Sequence, residues 1–158
     1  MRVTVGMAEM GFATDANALI VTHALGSCVG IAIYDPLAMV GGVLHYMLPV
    51  STIDKRRAQE RPLMYGDLAI PKFFKVAYSL GAQKERLRVV MAGGAAVIPT
   101  NETFDIGRRN VGLARKLFWK NKILIAGEDV GEDYPRTLYL EMKTGRTWFS
   151  SRGQSYEL

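Results

Sequence analysis

Cysteine is nearly absent from this chain, because Cys28 is the only one among 158 residues. A single thiol cannot form an intramolecular disulfide, which excludes the class of small secreted proteins held together by such bonds. The length and the 49% of hydrophobic residues are sufficient for one domain with a core that needs no cross-link. Cys28 is therefore free either for packing or for chemistry.

Long hydrophobic runs are also missing. No segment approaches the roughly 20 apolar residues that a membrane-spanning helix needs. Residues 1–6 lack the apolar core and cleavage site of a secretion signal. We therefore expect a cytoplasmic protein that is not inserted in a membrane.

Charge is only moderately biased, with 20 Lys and Arg against 15 Asp and Glu and a net charge of +5. The basic residues are spread along the chain, and neither an RNA-binding aromatic motif nor a zinc-ligand spacing accompanies them. We expect no nucleic-acid partner and no metal or organic cofactor. The positive charge favours an acidic protein partner.

Short β-rich runs separated by turn residues make up much of the chain. The predicted strands are residues 3–5, 18–22, 29–34, 40–47, 87–91, 122–126, 137–142 and 147–150. Residues 35–38, with Asp35-Pro36, predict a turn that joins two strands into a hairpin, and residues 143–146 predict another. Residues 50–64 are polar and predict a loop.

Two segments have apolar residues at helical spacing. The first, residues 67–80, has Asp67 as its predicted N-cap and Gly81 as its stop, and the second covers residues 106–119. Their predicted buried stripes are Ile70, Phe73, Phe74, Ala77 and Leu80 in the first and Val111, Ala114, Leu117 and Phe118 in the second. The whole chain, 1–158, is thus predicted to be a single α/β (α+β) domain of packed mixed β-sheets flanked by two principal helices.

Cys28 lies in a turn between two β-rich runs, with Gly26 before it and Gly30 after it. A tight turn of this kind exposes a side chain and directs successive backbone N–H groups into one concavity. A thiol nucleophile needs both features, because the N–H groups stabilise the developing oxyanion. It also needs a base, since a free thiol has a pKa of about 8.5.

His45 is the better placed of the two histidines to be that base. It lies on the strand that pairs with residues 29–34 through the predicted hairpin, which brings its end of the strand near Cys28. His23 is closer in sequence, but five residues around a turn fix no geometry. On these residues alone an inert core thiol and a redox-sensing cysteine remain alternatives, and Ser27 is a rival nucleophile without a Gly-x-Ser-x-Gly elbow.

Several blocks together resemble one known family. Thr22-x-x-Leu25-Gly26-Ser27-Cys28-Val29 followed by His45-x-x-Leu48-Pro49 resembles the CheD family of chemoreceptor glutamine deamidases. The further matching blocks are Tyr65-Gly66-Asp67-Leu68-Ala69, Gly93-Gly94-Ala95, Ile106-Gly107-Arg108-Arg109-Asn110, Gly127-Glu128-Asp129-x-Gly131 and Thr144-Gly145-Arg146. The order and spacing of all the blocks make the resemblance specific.

The resemblance implies a cysteine-hydrolase fold like the deamidase domain of cytotoxic necrotizing factor toxins. It implies Cys28 as nucleophile, His45 as general base and acid, and Thr22 as the residue that orients the histidine. We expect Gly26, Ser27, Gly93 and Gly94 to shape the substrate pocket or support the oxyanion. Ala24 departs from the pattern, because a glycine is common at that position.

The resemblance also implies a substrate and a partner. The family converts glutamine side chains on the cytoplasmic helices of methyl-accepting chemoreceptors to glutamate, and some members hydrolyse the glutamate methyl ester. In many bacteria it binds CheC, a phosphatase of the response regulator CheY. A module that mainly regulates such a phosphatase and a cysteine hydrolase of another substrate are the alternative functions.

Overall fold

The structure is a computed structural model that describes residues 1–96 and 105–158. Within these ranges it contains two five-stranded sheets, two longer helices and one short helix. The strands are β1 (Arg2–Val5), β2 (Glu9–Ala13), β3 (Leu19–Leu25), β4 (Val29–Asp35), β5 (Val40–Tyr46), β6 (Arg88–Gly93), β7 (Ile125–Val130), β8 (Arg136–Glu141), β9 (Thr147–Ser151) and β10 (Gln154–Glu157). The helices are α1 (Lys55–Glu60), α2 (Gly66–Ser79) and α3 (Ile106–Lys120).

Both sheets are mixed, as the sequence predicts. The first sheet has the strand order β1-β3-β8-β9-β10, and the second has β2-β5-β4-β6-β7. The pairs β1–β3 and β6–β7 are parallel, whereas the other pairs between the described strands are antiparallel. The predicted α/β class with two principal helices is confirmed, and the likeness to the toxin deamidase domain stays a prediction.

The second sheet is the middle layer of the molecule. Alternate residues of its central strand β4 point to opposite faces, and both faces are covered. Val29, Ile31 and Ile33 face the apolar side chains of α2 and α3. Cys28, Ala32 and Tyr34 face the first sheet instead. Burial on both faces explains why β4 is a continuous apolar run.

The β4–β5 hairpin is confirmed as an antiparallel pair in which Val29 lies opposite Tyr46 and Gly30 opposite His45. Its turn is closed by the buried Asp35, whose Oδ1 accepts hydrogen bonds from the N–H groups of Leu37 and Ala38. Arg86 pairs with the same carboxylate. The predicted β8–β9 hairpin is also confirmed.

Other predictions were wrong in detail. Residues 50–64 contain α1, whose N-cap Asp54 accepts a hydrogen bond from the Arg57 N–H. Helix α2 begins before Asp67, and the Asp67 carboxylate instead accepts from the N–H and hydroxyl of Ser51. Leu80 is exposed beyond the end of α2. The edge strands β2 and β10 were not predicted, and β7 begins three residues later than predicted.

Candidate active site

Cys28 lies in the loop between β3 and β4, one strand from each sheet. The register of β3 against β8 shifts between Thr22 and Leu25, so the chain bulges just before this loop. Ala24 in the bulge has a φ of 60°, a left-handed conformation that glycine adopts without strain. Glycine is the residue that the family resemblance led us to expect at this position. Cys28 itself is 9% exposed.

The Gly93-Gly94-Ala95 segment at the end of β6 holds the Cys28 loop from one side. The Gly94 N–H donates to the Cys28 carbonyl (2.9 Å), and the Ala95 N–H donates to the Gly26 carbonyl (2.8 Å). Gly93 has a φ of 113°, and a Cβ on it would lie 2.3 Å from the Cys28 carbonyl oxygen. Only glycine allows the two backbone segments to approach this closely.

Arg136 on β8 supports the same strand end from the first sheet. Its guanidinium is buried, and Nη1 donates to the Gly93 carbonyl (3.3 Å) while Nη2 pairs with Asp129 (3.4 Å). The guanidinium also stacks over the Tyr134 ring, 4.2 Å from its centroid. The arginine therefore ties the glycine segment to both sheets.

His45 and Cys28 share one face of the second sheet. His45 lies opposite Gly30, and side chains of directly opposite residues point the same way. Cys28 precedes Gly30 by two residues and packs in the layer between the sheets. His45 is fully buried and also points across this layer, because its ring contacts Thr22 of the first sheet. The predicted proximity of the histidine strand to the Cys28 loop is confirmed at the level of strand register.

Thr22 fixes the position of the imidazole proton. Its Oγ1 lies 2.7 Å from His45 Nδ1 and also 2.7 Å from the Val5 carbonyl oxygen. A hydroxyl has one hydrogen, and the carbonyl can only accept it. Thr22 therefore donates to Val5 and accepts from the Nδ1–H of His45. Nε2 then carries the lone pair, and it has no hydrogen-bond partner among the described residues.

Burial favours the neutral forms of both His45 and Cys28. It lowers the pKa of His45 to about 4, and the nearby Glu9 carboxylate opposes that change. Glu9 lies directly opposite His45 in the β2–β5 register. Burial likewise raises the pKa of the Cys28 thiol, and its own backbone N–H opposes this to a smaller extent. The resting site thus contains a neutral thiol and an imidazole with a free lone pair.

The remaining predicted residues lie around this pair. Gly26 and Ser27 are half-buried in the Cys28 loop, while Gly93 and Gly94 form the segment that holds it. His23 is exposed on the bulge, on the surface and not in the buried layer that holds His45. Sequence reasoning missed Glu9, the Val5 carbonyl and Asn110. Only Asn110 has a sequence signal, a polar residue within the apolar stripe of α3.

Within residues 1–96 and 105–158, no three His, Cys, Asp or Glu side chains group in a way that could hold a metal ion. Over the same residues no helix has the length and apolar character to span a membrane.

Comparison with known proteins gives the family. The model of the family described as "CheD chemotactic sensory transduction" matches residues 47–151. A protein of Syntrophus aciditrophicus named probable chemoreceptor glutamine deamidase CheD 1 is 47% identical over 151 residues, covering 96% of this chain and 94% of that protein. The chain belongs to the CheD family.

Further CheD proteins are similar over nearly the full length. A probable chemoreceptor glutamine deamidase CheD of Solibacter usitatus is 45% identical over 157 residues, 99% of this chain and 93% of the relative. A CheD 2 protein of Anaeromyxobacter dehalogenans with the same description is 38% identical over 152 residues, 96% of each chain. The CheD family match begins two residues after His45, whereas these alignments extend across the Cys28 loop.

Proposed function

We propose that this chain is a protein-glutamine deamidase that converts glutamine side chains of methyl-accepting chemoreceptors to glutamate in chemotaxis. The single observation that carries the mechanism is the buried Thr22–His45 hydrogen bond, which leaves the Nε2 lone pair free on the sheet face that Cys28 shares. The relatives named chemoreceptor glutamine deamidases support the substrate. No other function is favoured by a specific contact in the described residues.

The first chemical step is acylation of Cys28. His45 Nε2 takes the proton from the thiol as Sγ attacks the carboxamide carbon of the glutamine. A carbon–sulfur bond forms, and the carbonyl π electrons move onto oxygen. Burial raises the pKa of the Cys28 thiol and lowers that of His45, so both groups start neutral and the thiol proton must pass to Nε2 for the sulfur to attack. The protonated imidazole is then stabilised by Glu9, whose carboxylate lies opposite in the sheet.

Backbone donors near Cys28 suit the oxyanion. The N–H groups of Gly26, Gly94 and Ala95 already donate to backbone carbonyls, so they hold the loop in shape. The N–H groups of Ser27 and Cys28 make no backbone hydrogen bond within the described residues. We assign the Cys28 N–H as an oxyanion donor, with Gly26, Ser27, Gly93 and Gly94 as the frame that presents it.

Collapse of the tetrahedral intermediate needs an acid. Imidazolium donates its Nε2 proton to the departing nitrogen, the carbon–nitrogen bond breaks, and ammonia leaves. Water then attacks the thioester while His45 Nε2 accepts a proton from it. Nε2 returns that proton to the sulfur, and the products are glutamate and the Cys28 thiol. A glutamate methyl ester follows the same path with methanol as the leaving group.

The surface beside Gly94 fits a protein substrate. A cleft of about 630 Å³ lies between Gly94 and α3, and the described residues that line it include the basic Arg108 and Arg115 and the acidic Asp105 and Glu132. Exposed helices of a receptor coiled coil need an open surface of this kind and not a deep pocket. The net charge of +5 favours a region in which deamidation creates acidic side chains.

We include a CheC-type phosphatase as a second partner in the proposal, on the strength of the family resemblance. The expected result is competition, in which the purified phosphatase inhibits deamidation of a receptor fragment. Inhibition that disappears at high receptor concentration supports a shared surface. Binding without any effect on deamidation contradicts it.

The decisive experiment is incubation with a purified receptor cytoplasmic fragment followed by peptide mass spectrometry. Each deamidation replaces NH₂ by OH and adds about one mass unit, which follows from acyl transfer to water. We expect Cys28→Ser and His45→Ala to abolish the mass shift. His23→Ala is the matched control, because that histidine is exposed, and it should retain full turnover.

Two outcomes would contradict the proposal. Folded wild-type protein that binds the receptor fragment but gives no mass shift rules out deamidation. Persistent turnover in Cys28→Ser removes the thiol from the mechanism.

A further inference from the structure

Asn110 is the one fully buried polar side chain on the apolar face of α3 within the described residues. Its neighbours along that face are Gly107, Val111, Ala114 and Phe118. Asparagine is a weaker helix former than alanine, and a buried carboxamide costs free energy unless it is hydrogen-bonded. A specific pair of partners must therefore compensate for this residue.

Those partners are two backbone carbonyls beside the proposed nucleophile and base. Asn110 Nδ2 donates to the Ser27 carbonyl and to the Met47 carbonyl, both at 2.9 Å. Ser27 directly precedes Cys28, and Met47 follows His45 by two residues. A single NH₂ group thus joins the segment that carries the thiol to the segment that carries the imidazole.

Other contacts make this part of α3 a rigid reference for both segments. The Tyr46 hydroxyl donates to the Asn110 carbonyl (2.6 Å), which fixes the residue next to His45. Gly107, one turn earlier, lies so close to the Gly93–Ala95 segment that a Cβ on it would be 2.5 Å from the Gly94 carbonyl oxygen. The helix therefore contacts the Cys28 loop, the segment around His45 and the Gly93–Ala95 segment.

The chemistry of the side chain matches this task. Only a carboxamide offers two planar hydrogens on one nitrogen at this distance from the helix. Aspartate has no donor when ionised, and alanine or leucine has none at all. Oδ1 of Asn110 is buried without a hydrogen-bond partner among the described residues. The polar contacts that anchor the side chain are therefore the two made by Nδ2.

We propose that Asn110 is a positioning residue of the deamidase, which holds Cys28 and His45 at the separation needed for proton transfer by binding the Ser27 and Met47 carbonyls. The inference rests on the proposed function for its catalytic consequence. Its geometric content, the relation between thiol and imidazole, is measurable without any receptor.

The first readout is alkylation of Cys28 by iodoacetamide as a function of pH. At neutral pH the reaction depends on His45 taking the thiol proton, whereas at alkaline pH the thiol ionises unaided. We expect Asn110→Ala to lower the neutral-pH rate at least about tenfold, since misplacement of a base by an ångström costs that much or more. The alkaline rate should stay within about twofold of wild type. His45→Ala defines the rate without a base.

The second readout is deamidation of the receptor fragment, with kcat and KM measured separately. We expect kcat to fall by a similar factor and KM to stay within about twofold, because the substrate surface is intact. Asn110→Leu fills the space of the carboxamide without its donors and is the second variant. Asn121→Ala is the matched control, because Asn121 Nδ2 caps the same helix by donating to the Leu117 carbonyl (2.8 Å). It should lower the melting temperature and leave both readouts unchanged.

The results separate the two claims. If wild type does not deamidate the fragment, the proposed function fails while the alkylation profile still tests Asn110. If a folded Asn110→Ala or Asn110→Leu protein keeps the wild-type alkylation rate at neutral pH, the positioning role is overturned. If neither variant folds, Asn110 serves stability, and the proposal is also overturned.

Discussion

At the scale of single residues, His45 owes its proposed role to a proton on Nδ1, and Thr22 is the residue that keeps it there. The threonine hydroxyl is committed to the Val5 carbonyl and can only accept from the imidazole. A histidine in an apolar layer without such a partner would sample both tautomers, and in one of them Nε2 could not accept the thiol proton.

Replacing Thr22 tests this assignment. We expect Thr22→Val to lower kcat about ten- to hundredfold because the productive tautomer and ring orientation are no longer enforced. The two orphaned polar atoms should also reduce the free energy of unfolding by about 1–3 kcal/mol. Deamidation kinetics and urea denaturation give both quantities. Thr22→Ser keeps the hydroxyl and should retain most of the activity, so equal losses in both variants would contradict the role.

The pH dependence of the reaction follows from the pKa of His45. Burial lowers this pKa to about 4, and only the neutral imidazole accepts a proton. We therefore expect kcat/KM to fall as pH drops through about 4, well below the ordinary histidine value near 6.5. Glu9 favours the imidazolium, so Glu9→Gln should move this acid limb to still lower pH. Glu60→Gln, on the exposed helix α1, is the control. If kcat/KM falls at the same pH in Glu9→Gln as in the wild type, Glu9 does not affect the protonation of His45.

Ala24 offers a test of strain at the bulge. Its φ of 60° costs an L-residue roughly 1–2 kcal/mol relative to the right-handed region, and glycine avoids this cost at the expense of chain entropy. We expect Ala24→Gly to raise the free energy of unfolding by about 0.5–1 kcal/mol in urea titrations. Ala126→Gly on the exposed edge strand β7 is the control and should lower it. Destabilisation by both changes would show that the bulge is unstrained.

The proposed catalytic pair could be predicted from the sequence more fully than its surroundings could. Cys28 is the only thiol, His45 is one of two histidines, and the Asp35-Pro36 turn specifies the pairing that brings their segments together. Glu9 and the Val5 carbonyl could not be found this way. Their placement depends on β1 and β2 joining different sheets, which no local pattern encodes.

At the scale of elements, the predictable parts are those whose local pattern and turn chemistry agree. The β4–β5 hairpin and α3 satisfy both conditions. Strand β2 begins with a glutamate and contains Gly11, so only its pairing with β5 makes it a strand. Strand β10 is exposed throughout and depends on the Arg152-Gly153 turn, in which both residues have positive φ. Tertiary pairing, not propensity, decides both edge strands.

The end of β6 is the element on which the shape of the Cys28 loop depends. We expect Gly93→Ala to abolish most activity. The added Cβ would push the Cys28 carbonyl away, and a shift of that carbonyl also moves the Cys28 thiol. Gly131→Ala is the matched control. Gly131 also has a positive φ, 81°, but nothing lies within 4 Å of the added carbon. Both variants should lose about 1–2 kcal/mol of stability from backbone strain, with the additional loss and the inactivation confined to Gly93→Ala. Equal activity in the two folded variants would contradict the role of close approach.

At the scale of the whole molecule, the net charge of +5 should strengthen binding to an acidic region of the receptor. Salt screens interactions over about 10 Å at 0.1 M and about 3 Å at 1 M. We expect KM for the receptor fragment to rise several-fold between low and high salt while kcat changes little, because the buried site is shielded from ions. Steady-state kinetics across a sodium chloride series measures both. Thermal unfolding in the same buffers controls for stability, and a KM that does not respond to salt would contradict electrostatic capture.

The proposed machinery is divided between the two sheets, with Thr22 on the first, His45 on the second and Cys28 on the crossing between them. Either sheet alone would carry an incomplete set. Activity should therefore be lost when the two sheets no longer pack against each other. It should survive the local unfolding of an edge strand such as β10.

The Val5 carbonyl accepts the hydroxyl hydrogen of Thr22, and this main-chain contact sets which nitrogen of His45 is protonated in the proposed mechanism. Every amino acid supplies that oxygen, so the buried side chain of Val5 serves the core while its carbonyl serves the imidazole. The contact requires the alignment of β1 with β3, in which Val5 lies opposite Thr22, and the side chain at position 5 takes no part in it. Detaching β1 would leave the hydroxyl hydrogen free to turn toward Nδ1 and send the imidazole proton to Nε2. Deamidation would then stop although Thr22, His45 and Cys28 were all still present.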